Sequence, residues 1–244
     1  MTPTSRRGFL INAAASALTI ESAVAIAGGE GKPLSGPAFD EQRTPVPLPF
    51  DPKNLNGLSA KLMQSHWENN YGGAVKALNT IRSRLTLALN DASTPAYVYT
   101  GLKREQLLRT GSVVLHEYYF GNLGGSGKAG SEVRTKVAAS FGTFDAWESE
   151  FRKIGQGLGG GSGWVVLGYN IHTQQVENYW MWDHMHGPAA TMPLLVMDMY
   201  ENAYAIDYGA SAKDYIEAFL KNLQWAEVER RVGRAQKADT ALRG

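Results

Sequence analysis

The spacing of apolar residues changes from helical to strand-like at the glycine-rich stretch Gly157–Gly163, and no all-helical or all-strand fold accommodates that change. Upstream the period is helical. Leu58, Leu62 and His66 fall four apart, and Ala74, Val75, Leu78, Ile81, Leu85 and Leu89 continue the stripe. After the polar loop Asn90–Pro95, a second run carries Leu107, Leu108, Leu115, His116, Tyr119 and Phe120. Two long helices joined this way predict an antiparallel helical hairpin, with a bend or close approach at Gly72-Gly73. Beyond the glycine-rich loop Gly121–Gly130, Val133, Val137 and Phe141 predict a short helix, and Thr143 caps a second one bearing Phe144, Trp147, Phe151 and Ile154. Downstream of Gly163 the pattern is that of strands. Val165–Leu167 and Val176–Trp182 flank a turn over Gly168–Gln175, and Leu194–Met197 forms a third run. A last helix, from Ser211, buries Tyr215, Phe219 and Leu223, and Arg230, Arg231 and Arg234 are expected as its solvated end. The expected fold class is α+β.

Charge and cysteine content narrow the chemistry. Lysine plus arginine, 24, against aspartate plus glutamate, 23, gives a net charge of +1, which argues against binding nucleic acid through a broad basic surface. The absence of cysteine removes disulfides, thiolate metal sites and cysteine nucleophiles, so a metal would rest on His, Asp, Glu, Asn or water. Ser5-Arg6-Arg7-Gly8-Phe9-Leu10, a mild apolar run and Ala25-Ile26-Ala27 predict a twin-arginine signal over 1–27, hence export to the periplasm. That run is shorter than the about 20 residues of a membrane span and Glu21 interrupts it, so no span is expected. The proline- and glycine-rich residues that follow predict an extended tether.

Two of the five histidines, His66 and His116, lie on the apolar faces of the predicted hairpin. A core histidine bonded to a main-chain carbonyl is the ordinary reading of each. Two on facing helices also make half of a metal site. Asp198 ends the buried run Pro193–Met197, with Asn202 four residues on. Buried acids are paired or metal-bound, while a helix N-cap is the competing role. His172 is assigned to the turn.

The order His66, His116, Asp198 and its surroundings resemble the iron/manganese superoxide dismutase family from about Leu48 to Val232. Leu48-Pro49-Phe50, Leu58-Ser59-Ala60, Val114–Tyr119, Ala138–Phe144, Gly161–Trp164 and Asp198–Tyr204 are similar to the family's motifs. The resemblance implies a helical hairpin domain over 48–125, preceded by a linker over 28–47. It further implies an α/β domain with a three-stranded antiparallel sheet over 126–232, leaving a basic tail over 233–244. It implies dismutation of superoxide at one iron or manganese ion per chain, held by His66, His116, Asp198 and the residue at Asn202, and a homodimer. Glu201 matches the family's dimer-interface glutamate; Tyr119 and Trp164 match aromatic residues around the ion.

Several positions depart from the family pattern. Asn202 stands where the motif has its third histidine. Asn70 and Ala74 replace residues of the substrate channel, Tyr200 the motif's tryptophan, Ala205 a tyrosine of the dimer contact and Gly209 an arginine of anion attraction, and Ser112 replaces Gln or Gly. Trp182-Asp183-His184-Met185-His186 resembles a segment that places a histidine close to the ion. His184 or His186 is therefore expected near the metal, as a substitute ligand or proton relay, with His184 and Tyr119 in catalytic roles. The alternative is a catalytically silent relative that binds a metal or a partner.

Overall fold

The computed structural model describes residues 36–243. The signal expected over 1–27 and the first part of the 28–47 linker lie outside the described residues. The rest of that linker is not a free tether. It makes one helical turn, α1 (Pro37–Asp40), and then runs extended along the helical region. Val46 N–H donates to the Tyr71 hydroxyl at 2.8 Å, and the Asn79 side chain bonds both main-chain groups of Arg43 at 2.9 and 2.8 Å. Main-chain groups bonded at this many points dock a segment that composition alone marks as loose.

The hairpin forms as expected, with one irregularity. Ser59 caps α2 (Ala60–Ser65), its Oγ accepting from Leu62 N–H at 3.0 Å. A π-helical turn, His66–Tyr71, follows and leads into α3 (Gly72–Asn90). The wider turn inserts a residue into the helical ladder and resets which face points inward, so His66 and Tyr71, five apart, are both buried. Simple four-residue spacing does not anticipate that change. At 91–95, Asp91 accepts from the main chain and hydroxyl of Ser93, closing the turn into α4 (Ala96–Gly121), which spans about 39 Å at about 1.5 Å per residue.

Next come α5 (Ser131–Phe141) and α6 (Phe144–Leu158), the latter capped by Thr143 Oγ1 as expected. The sheet is antiparallel with order β2-β1-β3, where β1 is Trp164–Asn170, β2 Gln175–Met181 and β3 Thr191–Asp198. Strand β1 lies in the middle and is buried from Trp164 to Tyr169, because α6 covers one face and α4 reaches β3 on the same sheet. The turn is tighter than the expected Gly168–Gln175 and spans only 171–174, with Gln174 at φ 61°. His172 sits in it, its N–H bonded to Asn170 Oδ1.

The C-terminal expectation needs correction. Not one but two helices close the chain, α8 (Ala212–Lys221) and α9 (Trp225–Arg243), after the single turn α7 (Ala205–Tyr208). The helix continues through 233–243, with Ala235 buried, so these residues are no tail. Nor is Arg231 solvated. Its guanidinium lies 4.3 Å from the Tyr118 ring centre and donates to Asn122 Oδ1 at 2.5 Å and the Leu194 carbonyl at 3.0 Å, with 10% of the side chain exposed. A planar five-donor head can satisfy carbonyls from α4 and β3 at once, which charge counting reads only as a solvated end. Among the described residues no helix is long and apolar enough to cross a membrane.

Candidate metal centre

Three separate parts of the chain converge at one end of the sheet. The π-helical turn supplies His66, α4 supplies His116, and β3 ends on Asp198, whose cross-strand neighbour on β1 is Trp164. All three ligating side chains are buried. One donor atom from each lies within 4.8 Å of the other two. The sequence assigned these three residues to one site, and the structure brings them together.

Asp198 is held from two sides. Tyr200 N–H donates to its Oδ1 at 2.8 Å, and the Tyr215 hydroxyl donates to its main-chain carbonyl at 2.7 Å. Its Oδ2 lies 3.0 Å from His66 Nε2 and 3.7 Å from His116 Nε2. With bonds of about 2.1 Å to a shared ion, two ligands stand about 3.0 Å apart at a right angle and about 3.6 Å apart at 120°.

The protonation pattern points the same way. His116 Nδ1 donates to the Ser112 carbonyl at 2.7 Å, which leaves the lone pair on Nε2. Burial, aided by the neighbouring His66, pushes the His116 pKa down to about 4, so the ring stays neutral. His116 Nε2 and His66 Nδ1 are buried without a hydrogen-bond partner. An orphaned buried nitrogen costs about 1–3 kcal/mol, and here a lone pair faces a carboxylate oxygen. A cation between them removes that conflict, and imidazole with carboxylate suits iron or manganese. The residues fit the group.

Beside the cluster a cavity of about 330 Å³ opens between α3, α4 and the chain after β3, with His116, His184, Asp198, Tyr200 and Asn202 among its lining. Asn202 thus faces the same space as two of the ligands. His184 lies in the connection from β2 to β3, 6.2 Å from the His116 ring centre and stacked on Tyr200 at 4.8 Å and 15°. Trp164 Nε1 donates to His184 Nδ1 at 3.0 Å, so the neutral ring carries its proton on Nε2. Burial lowers its pKa. His184 is not part of the three-residue cluster.

His186 takes no place here: it is exposed and bonds Asp183 at 2.8 Å, because the turn after Asp183 directs it outward. Tyr119 does not line the cavity. It lies behind His66, 5.2 Å between ring centres, with its hydroxyl 3.4 Å from that of Tyr215, and burial raises its pKa. Its position on α4, three residues past His116, turns it to the rear of the cluster and makes it a wall.

Tyr200, read from the sequence only as a departure from the family motif, lines the cavity, and burial pushes its phenol up to about 12. Sequence reasoning missed two further contributors. Arg109 lines the cavity from α4, two turns before His116, and that seven-residue spacing was the available signal. Gly111, on the same helix, faces the His184 main chain: a Cβ there would fall well under 3.0 Å from the His184 carbonyl oxygen. Nothing in the local sequence marks that approach.

Known proteins share this frame. The family described as iron/manganese superoxide dismutases, C-terminal domain, matches residues 129–231. A superoxide dismutase [Fe] of Cupriavidus metallidurans is 45% identical over 189 residues, 78% of this chain and 95% of that protein. A superoxide dismutase [Fe] of Aquifex pyrophilus is 34% identical over 79% of this chain and 92% of its own length. A superoxide dismutase [Mn] of Nocardia asteroides is 29% identical over 73% and 86%. With its α+β frame and its buried two-histidine, one-aspartate cluster, the chain belongs to the iron/manganese superoxide dismutase family.

Proposed function

We propose that this chain is a superoxide dismutase that uses one iron or manganese ion held by His66, His116 and Asp198. The observation that carries this reading is the buried convergence of His66 Nε2 and the unpartnered His116 Nε2 on one Asp198 carboxylate oxygen, at 3.0 and 3.7 Å. His66, His116 and Asp198 would hold the ion, which would supply the reversible one-electron redox chemistry by which two superoxides and two protons give oxygen and hydrogen peroxide. The protein's own task is to hold the ion, exclude bulk water and carry protons. Phe120, Tyr119 and Trp164 wall the cluster with apolar surface, their ring centres 5.1 to 6.2 Å from those of the two histidines. The His184 Nε2–H and the protonated Tyr200 phenol are two proton-bearing groups in the cavity. The curated relatives, named as superoxide dismutases, do not favour the silent alternative.

Protein reconstituted with iron or manganese is expected to remove superoxide catalytically, while metal-stripped protein does not; inactive protein that carries a full complement of metal contradicts the reading. Asn202 lines the cavity beside two ligands, and an amide is a weaker donor than an imidazole. Asn202→His is therefore expected to tighten metal retention about tenfold or more, given that even outlying changes at metal sites shift affinity by about 10–100-fold. Competition with a chelator measures it, and unchanged retention would place residue 202 outside coordination.

Export through the twin-arginine route and homodimerisation belong to the same reading. The Arg6-Arg7 motif and the small-residue exit at Ala25-Ile26-Ala27 support the first. Exposed Trp180, Trp182 and Ile206, in and next to the segments that leave β2 and β3, support the second. Fractionation of cells expressing the Arg6→Lys, Arg7→Lys variant tests export, and light scattering tests the dimer.

A further inference from the structure

The mouth of the cavity has an electrostatic asymmetry that the ligand set does not explain. Among the described residues lining it, Arg109 carries the one fixed positive charge. His116 and His184 are neutral rings, and Asp198 is an acid. Asp183, next to His184, adds a second acid nearby and bonds His186. Arg109 shares a helical face with Ser112 and His116, three and seven residues on, so α4 aims the guanidinium into the space that leads to the cluster. Its side chain is 38% exposed, and its ionic partner Glu105 reaches a single Nη at 3.5 Å from one turn back, outside the lining. A guanidinium that is neither buried nor closely paired keeps an outward field.

We propose that Arg109 steers small anions into the cavity, the superoxide anion above all, and so sets the association rate of the enzyme. This rests on the dismutase reading for the identity of the anion, but not for the presence of an anion-attracting mouth. Charge focused by low-dielectric walls raises association about 10- to 1,000-fold in steered enzymes, and salt weakens it. The expected effect of one partly paired, half-exposed charge lies at the lower end.

The test uses the full chain loaded with iron, as wild type, Arg109→Gln, Arg109→Lys and Arg109→Glu. For each, kcat/KM is measured from about 10 to about 150 mM salt, across which the screening length falls from about 30 to about 8 Å. Azide affinity is measured alongside by optical titration of the iron-loaded protein. The wild type is expected to slow as salt rises. Arg109→Gln is expected to lose about 3- to 10-fold at low salt and most of its salt dependence, Arg109→Glu to lose more, and Arg109→Lys to keep both, with metal content equal throughout. Azide binding should follow the same order. A Gln variant with the wild-type salt slope and azide affinity overturns the proposal. A wild type without dismutase activity overturns the dismutase reading instead, and the azide titration then still decides the role of Arg109.

Discussion

Asp198→Asn is expected to yield a folded protein that retains less than about a hundredth of the wild-type affinity for iron or manganese and no measurable dismutase activity. The carboxylate oxygen Oδ2 is the point to which both imidazoles converge, at 3.0 Å from His66 and 3.7 Å from His116. An amide there is neutral and places either a weak oxygen or an N–H against the His116 lone pair. The fold has little reason to fail. The side chains are nearly equal in volume, Oδ1 still accepts from Tyr200 N–H, and Tyr215 bonds the Asp198 main chain rather than its side chain. Loss of one hydrogen bond to a charged group costs about 1.5–3 kcal/mol. Elemental analysis and a thermal melt separate the two effects. A variant that folds and keeps its metal would locate the ion elsewhere.

Gly111→Ala carries the second large effect, through geometry rather than ligation. A Cβ at this position runs into the carbonyl oxygen and carbon of His184, main-chain atoms that cannot rotate aside. Either α4 or the 182–188 connection must move. Moving the connection breaks the Trp164–His184 bond and the stacking of His184 on Tyr200. Forced overpacking of this kind costs about 1–3 kcal/mol, and loss of a positioned proton carrier costs about 100-fold or more in rate. Gly101 provides the control on the same helix. A methyl group there would have nothing within 4 Å, so Gly101→Ala is expected to stabilise by about 0.5–1 kcal/mol with activity unchanged. The same substitution with opposite signs on one helix would tie the loss to the His184 contact. Equal effects at both positions would refute it.

The two helices of the hairpin, the strands and the Thr143 cap were all legible because each depends on residues near one another in sequence. Periodicity and capping are local properties, and burial merely reinforces them. The three ligands were legible for a different reason: His66 and His116 place polar rings on apolar helix faces and Asp198 ends an apolar run, which is costly, and the resemblance to the family's motifs joined them in one site. The places where the reading fell short share a cause. The π-helical turn after Ser65, the docking of residues 41–48, the burial of Arg231 and the continuation of α9 past Val232 all depend on what lies across from them. Arg231 looks like a solvated cation until the carbonyls of Tyr118 and Leu194 are placed beside it.

From the amino acids alone came the class of fold and the exclusion of sulfur chemistry, because composition and period act through short-range energetics, while the resemblance to the superoxide dismutase motifs singled out the histidine and aspartate trio. Folding in three dimensions decided which of the neighbouring groups share that trio's cavity. It seated His184 on Trp164 and Tyr200, turned His186 to solvent, set Tyr119 behind His66 and brought Arg109 to the opening. These outcomes hang on a carbonyl meeting a glycine and on a π-turn resetting a helix face, distances of a few ångströms that no spacing along the chain encodes.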